Sequence, residues 1–292
     1  MTLINCGDPT YKTIQFEWFL TNWCNYNCSY CSEADNMVDT FDKQSSPSKY
    51  KLVLSRLRLI TTPFSVELIG GEPTLHPNIV EILSELSSFE NCIKIQVITN
   101  LSRSVEFYKT ISTPKVQFLA SFHPEYFSKE FISKVKAIPN VSITLNLSDK
   151  SEHWANTIEF LDLVNLEKLS YSLNMLMSTS SYTTSYSDEF FAKFNRYITT
   201  AESNEQIQHT FENNETVIFN ETEIIQKGLH KLTGYECTPM RYRISHDGEI
   251  QNFCTGKKLP LAITINSLYQ KETCPNSHCK CDALFVFYKE KK

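Results

Sequence analysis

Two periodicities alternate through the first two-thirds of the chain. Short runs of alternating or clustered apolar residues at 13–20, 65–68, 93–98, 116–121, 141–145 and 168–176 are predicted strands. The stretches 48–60, 78–87, 104–111, 128–136, 151–164 and 188–199 carry apolar residues at helical spacing. Several of these open on cap-type residues, Ser128 and Ser151 among them. Strands that are each followed by a helix predict an α/β protein with a parallel sheet and right-handed crossovers. Six such units are too few to close an eight-fold barrel. The predicted architecture is therefore a partial, open (βα)6 barrel over 1–200, with a flat doubly wound sheet as its rival.

The pattern changes beyond residue 200. Residues 201–222 are polar and acidic and read as a linker or solvated loop. Residues 241–245 and 249–253 then flank His246-Asp247-Gly248, and an Asp-Gly between two alternating runs predicts a β-hairpin. Residues 201–292 are thus expected to be a linker followed by a small cysteine-rich extension built around that hairpin.

Composition narrows the function. With 41% hydrophobic and 21% charged residues the chain can bury a core and is not globally disordered. Lys and Arg number 28 against 33 Asp and Glu, a net charge of −5, which argues against a broad nucleic-acid-binding surface. The chain has no long apolar run to span a membrane and no secretory signature at its start, so a cytoplasmic setting is expected. Ten cysteines are many for such a compartment and point to metal binding.

Three of them stand together as Cys24-x3-Cys28-x2-Cys31, just after the first predicted strand. Three thiolates from one loop suit an Fe–S cluster and leave one iron of a four-iron cluster without a protein ligand. The competing reading is a zinc site completed by a distant histidine. Gly70-Gly71-Glu72-Pro73 ends the second predicted strand. Its glycines would let backbone approach a ligand, and Glu72 would accept from an ammonium group; alone, Glu72 could equally be a surface carboxylate.

The cysteine triplet, with aromatic Tyr30 before its last member, resembles the motif of the radical S-adenosylmethionine (SAM) superfamily. Gly70-Gly71-Glu72-Pro73 resembles that superfamily's motif for the methionine amino group. The resemblance covers about residues 13–180. It implies a TIM-like partial barrel and a [4Fe-4S] cluster on Cys24, Cys28 and Cys31 whose open iron chelates SAM. It further implies one-electron cleavage to a 5′-deoxyadenosyl radical that abstracts hydrogen from a substrate. A flavodoxin- or ferredoxin-type donor would supply the electron. By the same resemblance Thr99, Asn100 and Ser121 match contacts to the SAM ribose and carboxylate. The backbone of Tyr30 and the 141–145 strand, with Ile143, match adenine-binding elements. His123, Asn146 and Asn174 are substrate candidates by their place at strand ends; the alternative for His123 is a loop histidine that caps the next helix.

Cys237, Cys254, Cys274, Cys279 and Cys281 form a second constellation within 45 residues. It resembles the auxiliary-cluster extensions called SPASM and twitch domains, which implies one auxiliary [4Fe-4S] cluster. The full set of seven SPASM cysteines is absent, and the spacing from Gly248 to Cys254 is one residue longer than usual. A structural zinc knuckle is the alternative. Cys6 and Cys92 read as ordinary thiols.

The expected function is radical SAM oxidation or rearrangement of a small molecule, such as a sugar, cyclitol or nucleotide. The 12 residues ahead of the first predicted strand leave no room for the leader-binding module of many peptide maturases, which sets a ribosomal peptide second. Nucleic-acid modification and a non-catalytic Fe–S electron carrier complete the alternatives.

Overall fold

The computed structural model describes residues 2–31, 46–175, 186–198, 207–219, 223–224, 227–260, 262–276, 279 and 287–291. Its core is a sheet of eight strands. In chain order these are β2 (Ile14–Thr21), β3 (Phe64–Gly70), β4 (Cys92–Thr99), β5 (Val116–Phe122), β6 (Val141–Leu147), β7 (Tyr171–Met175), β11 (Arg241–Ile244) and β12 (Ile250–Asn252). They lie in the order β12-β11-β2-β3-β4-β5-β6-β7. The run from β2 to β7 is parallel, and each strand is added on the same side as the last. With right-handed crossovers, that order puts every connecting helix on one face. Strands β7 and β12 stand at opposite ends of the sheet, so the barrel is open.

The helices are α1 (Pro47–Arg58), α2 (Ile79–Ser88), α3 (Val105–Ile111), α4 (Glu130–Ala137), α5 (Trp154–Leu166) and α6 (Asp188–Ile198). Alternation along each strand decides which side chains meet them. Ile14, Phe16, Trp18 and Leu20 of β2 are all buried, as are Tyr50, Val53, Leu54 and Leu57 of α1. Farther along, Phe122 of β5 stacks on Phe160 of α5 at 3.8 Å, and Trp154 of α5 meets Phe190 and Phe194 of α6 edge-on. All six predicted βα units are present, with the boundaries shifted by a few residues.

The opposite face of the sheet is polar. Glu17 (β2) pairs with Arg241 and Arg243 (β11), Arg241 reaches Glu67 (β3) at 3.3 Å, and Gln96 (β4) donates to Glu67 at 3.2 Å.

A smaller antiparallel sheet has the order β13-β10-β14-β1-β8-β9. Its strands are β1 (Leu3–Cys6), β8 (Ile207–Phe211), β9 (Thr216–Phe219), β10 (Glu236–Cys237), β13 (Glu272–Thr273) and β14 (Lys289–Glu290). Two findings depart from the sequence reading. Residues 207–219 form a hairpin where a linker was expected; its polar Asn213-Asn214 is the turn itself, with Asn214 at φ 61°. Strand β1, in the middle of the small sheet, was not anticipated.

The predicted hairpin at His246-Asp247-Gly248 is present as β11–β12, with Gly248 at φ 84°. Its first strand pairs in parallel with β2, so the hairpin continues the large sheet. Buried Arg56 of α1 ties this region down by donating to the carbonyls of Gly248 at 3.4 Å and Pro260 at 2.8 Å. A short helix, α7 (Ile265–Leu268), follows. No described helix is long and apolar enough to cross a membrane.

Candidate active site and second cysteine centre

The cysteine loop leaves the C-terminal end of β2 and is held at both limbs. At its start, Gly71 N donates to Thr21 O at 2.8 Å and Glu72 N to Trp23 O at 2.9 Å. The far limb docks on residues after β5 and β6. Asn27 N donates to the Tyr126 hydroxyl at 2.7 Å, Ser29 N to Glu125 Oε1 at 3.0 Å, and Lys150 Nζ to Ser29 Oγ at 2.8 Å. Tyr26 stacks flat on Tyr126 with centroids 3.9 Å apart, and His153 Nε2 lies 3.2 Å from Glu125. The loop therefore bridges strand ends from β2 to β6.

The thiols fit a cluster by their chemistry. Burial pushes Cys24 up to about 11 and Cys28 up to about 12, so each keeps its proton until a metal displaces it. Two donors are already aimed at Cys24 Sγ, Tyr26 N at 3.4 Å and Asn100 Nδ2 at 3.9 Å, and His123 Nδ1 lies 3.4 Å from Cys28 Sγ. Such hydrogen bonds stabilise metal-bound thiolates. Among the described residues no three His, Cys, Asp or Glu close around a point that would hold a single ion.

Gly70 and Gly71 are required by the chain itself. A Cβ on Gly71 would stand 2.0 Å from Trp23 O and 2.9 Å from Cys24 N; one on Gly70, at φ 123°, would stand 2.2 Å from Thr21 O. The expected close approach is thus to the backbone that launches the cysteine loop. Glu72 is 1% exposed. Its Oε1 accepts from Thr74 N at 3.1 Å, Thr74 Oγ1 at 2.5 Å and Thr99 Oγ1 at 2.8 Å, and Oε2 from Asn100 N at 2.7 Å. Burial raises its carboxyl pKa and these donors oppose the rise. The carboxylate's first duty is to lock the ends of β3 and β4 together. Pro73 follows in a buried 3-10 turn, Pro73–Leu75.

The remaining predicted residues sort by face. Thr99 and Asn100 belong to the Glu72 network, and Asn100 Nδ2 also reaches Asn25 Oδ1 at 2.9 Å beside Cys24. Ser121 and Asn146 meet on the polar face, Asn146 Nδ2 donating to Ser121 Oγ at 2.9 Å. Asn174 sits in register with Asn146, its side chain being outside the description. Ile143 lies in the middle of β6. Register places it with Ala120, Phe122 and Leu145, the helix-facing set, so only its backbone is available to a ligand. His123 packs against the cysteine loop: its Nδ1 is 3.1 Å from the Tyr30 hydroxyl, and burial pushes the imidazole down to about 4. Sequence reasoning missed the clamp formed by Tyr126, Lys150 and His153. Glu125 was visible only as a neighbour of His123.

A second group of thiols gathers at the small sheet. Cys237 of β10, Cys254 after β12, Cys274 after β13 and Cys279 line one small cavity together with Tyr235 and Lys289. The backbone fixes each in place: Cys254 N donates to Asn252 Oδ1 at 3.0 Å, Cys274 N to Tyr235 O at 2.8 Å, and Cys279 N to His230 O at 2.7 Å. Asn276 Nδ2 lies 3.4 Å from Cys254 Sγ. Burial pushes Cys237 up to about 12, and a hydrogen bond with Cys254 followed by burial raises Cys274. No disulfide joins the described cysteines, and Cys281 lies outside the described residues. Four thiols from four separate segments on one cavity fit a thiolate-ligated centre.

Comparison with known proteins agrees with this geometry. The family model for the radical SAM superfamily matches residues 18–177, more than half of the chain. A "UPF0026 protein" of Helicobacter pylori is 33% identical over 101 residues, 32% of this chain and 30% of that protein. A GTP 3',8-cyclase of Trichodesmium erythraeum is 31% identical over 84 residues, 28% of this chain and 25% of the relative. The match thus spans less than a third of either relative's length. Among solved structures, native anSMEcpe with bound AdoMet superposes with a TM-score of 0.58 at 14% identity, covering 88% of this chain and 80% of that one. A further structure of that protein also holds a peptide. The superposition speaks for the fold, and the matched residues carry the cysteine loop and the Gly-Gly-Glu-Pro turn: the chain belongs to the radical SAM superfamily of enzymes, which bind a [4Fe-4S] cluster and SAM.

Proposed function

We propose that this enzyme acts on a small molecule at the polar face of its open barrel, assisted by an auxiliary [4Fe-4S] cluster on Cys237, Cys254, Cys274 and Cys279. The observation that carries the reading is the convergence of those four thiols on one cavity, apart from the cysteine loop. Cys24, Cys28 and Cys31 would hold the catalytic cluster, whose open iron supplies SAM chelation and reductive cleavage when bound. Around it the chain's own residues orient and exclude. Glu72 holds Thr74, Thr99 and Asn100 at the strand ends, and Asn100 reaches the cysteine loop. Tyr26 and Tyr126 cover the loop from the β5 side. Substrate would meet the face lined by Ser121, Asn146, Glu17 and the two arginines of β11.

A small substrate is favoured by that face, where charged groups are paired side by side on the sheet itself. The match to a GTP 3',8-cyclase covers 84 residues and supports a nucleotide-like substrate only as one member of this class. A peptide substrate is the second reading, because the superposed fold of anSMEcpe accepts one. An external one-electron donor of the flavodoxin or ferredoxin type would reduce the catalytic cluster.

The test separates the two centres. Alanine at both Cys254 and Cys274 should remove about four irons per chain yet leave SAM cleavage to 5′-deoxyadenosine within a few-fold of the parent. The reason is spatial: these thiols come from the small sheet and the segments after β12 and β13, and none belongs to the cysteine loop. Iron analysis and chromatographic detection of 5′-deoxyadenosine provide the readout. Full iron retention in this variant would remove the auxiliary cluster from the account.

A further inference from the structure

We propose that Tyr30 and His123 hydrogen-bond as a pair to the Cys28 sulfur and raise the reduction potential of the catalytic cluster. The inference rests on the assignment of that cluster to Cys24, Cys28 and Cys31.

Three polar atoms from two separate segments meet at the cysteine loop. His123 follows β5, and its Nδ1 lies 3.4 Å from Cys28 Sγ and 3.1 Å from the Tyr30 hydroxyl. The Tyr30 hydroxyl bonds to Cys28 as well, a contact that favours the thiolate. Packing holds the group from several sides. The His123 ring lies nearly parallel to that of Tyr30 at 6.1 Å and meets Tyr26 edge-on at 5.7 Å. His153 packs edge-on against Tyr30 at 5.6 Å, and Tyr126 N donates to His123 O at 3.0 Å. Cys28 is 8% exposed, so little water competes for its sulfur.

Proton counting decides which way these bonds run once a metal is bound. A phenol keeps its proton at neutral pH, so Tyr30 brings one donor. An imidazole, charged or neutral, can carry a proton on Nδ1. As a thiol, Cys28 can itself donate to Nδ1; as a metal-bound thiolate it can only accept. A hydrogen bond to an ionised acceptor is roughly twice as strong as one between neutral groups. The thiolate therefore favours a proton on Nδ1 and turns the Tyr30 hydroxyl toward sulfur. An added electron makes the cluster's sulfurs more negative, so both bonds strengthen in the reduced form and raise the potential. Tyr30 and His123 are thus positioning residues that act through Cys28, and the loss of either makes the cluster harder to reduce.

The experiment uses the full chain carrying Cys254→Ala and Cys274→Ala, so that a single cluster reports. Tyr30→Phe, His123→Phe and His123→Asn are compared with this parent after anaerobic reconstitution, by EPR-monitored redox titration without SAM and with viologens as mediators. Phenylalanine keeps the packed ring at either position and removes the polar atoms. Each phenylalanine variant should lower the midpoint by at least the equivalent of a threefold change in the reduction equilibrium, about 28 mV for one electron. Asparagine places an amide N–H near the position of Nδ1 and should hold the midpoint within threefold of the parent. In heavy water, electron–nuclear double resonance of the reduced parent should show an exchangeable deuteron coupling that each phenylalanine variant loses. Tyr30→Phe removes a single oxygen and decides the matter where His123→Phe fails to fold. A midpoint within threefold of the parent in Tyr30→Phe, or in folded His123→Phe, overturns the pair while leaving the cluster in place. A parent without iron overturns the assignment of the cluster to these cysteines and this inference with it.

Discussion

Alanine at Cys24, Cys28 and Cys31 together is expected to take about four of about eight irons per chain and to abolish 5′-deoxyadenosine formation. The loop that carries these thiols is held by other groups: the Gly71 and Glu72 amides at its start, Tyr126, Glu125 and Lys150 at its far limb. Removing the sulfurs leaves that anchorage intact, so the fold should survive and the lost iron should report the lost donors. At neutral pH these thiols are protonated whether the chain is folded or not, so their raised pKa adds nothing to stability there, and alanine should cost the metal-free protein only the lost packing and hydrogen bonds of the sulfurs. Iron content, thermal unfolding and product chromatography together check the result. A triple variant that still formed 5′-deoxyadenosine would sink the assignment of the catalytic cluster.

The second large effect belongs to Gly71→Ala. A Cβ there would stand 2.0 Å from Trp23 O and 2.3 Å from Trp23 C, and both atoms are backbone that cannot swing aside. Relief requires the chain between β2 and Cys24 to move, which breaks the bonds from Gly71 N and Glu72 N that hold it. Overpacking of this severity costs about 2–4 kcal/mol, above the usual range for an added methylene because the obstacle is rigid. The cysteine loop should lose register with the strand ends, so iron retention and SAM binding should fall together. Gly256→Ala is the control. It carries the strain of φ 69° with nothing within 4 Å, and about 1 kcal/mol is expected. A Gly71→Ala protein that matched this control in thermal unfolding and kept its iron would show that the turn does not position the loop.

What could be read from the sequence was what local spacing encodes. The six βα units were legible because strands such as Phe64–Gly70 bury every second residue through most of their length and helices such as Ile79–Ser88 bury one side. The small sheet was not. Its strands are two to five residues long, too short for a period of two to show, and they are drawn from both ends of the chain. The polar turn at Asn213-Asn214 imitated a linker for the same reason.

The site divides along the same line. The cysteine triplet and Gly70-Gly71-Glu72-Pro73 are compact motifs and could be quoted directly. The groups that hold them are distant in sequence: Ser29 meets Glu125 and Lys150 only because consecutive parallel strands end at one edge. Glu72 looked like a free acceptor, since nothing in its neighbourhood announces that Thr99 and Asn100 from the next strand will claim it.

The most direct test of the account is the EPR spectrum of the anaerobically reduced protein before and after addition of SAM. In the Cys254→Ala, Cys274→Ala background only the cluster on Cys24, Cys28 and Cys31 should contribute. Its open iron should take the amino and carboxylate groups of SAM and change the spectrum, and 5′-deoxyadenosine should accumulate in the same sample. A spectrum that SAM leaves unaltered, with no nucleoside formed, would contradict the account and leave an Fe–S electron carrier in its place.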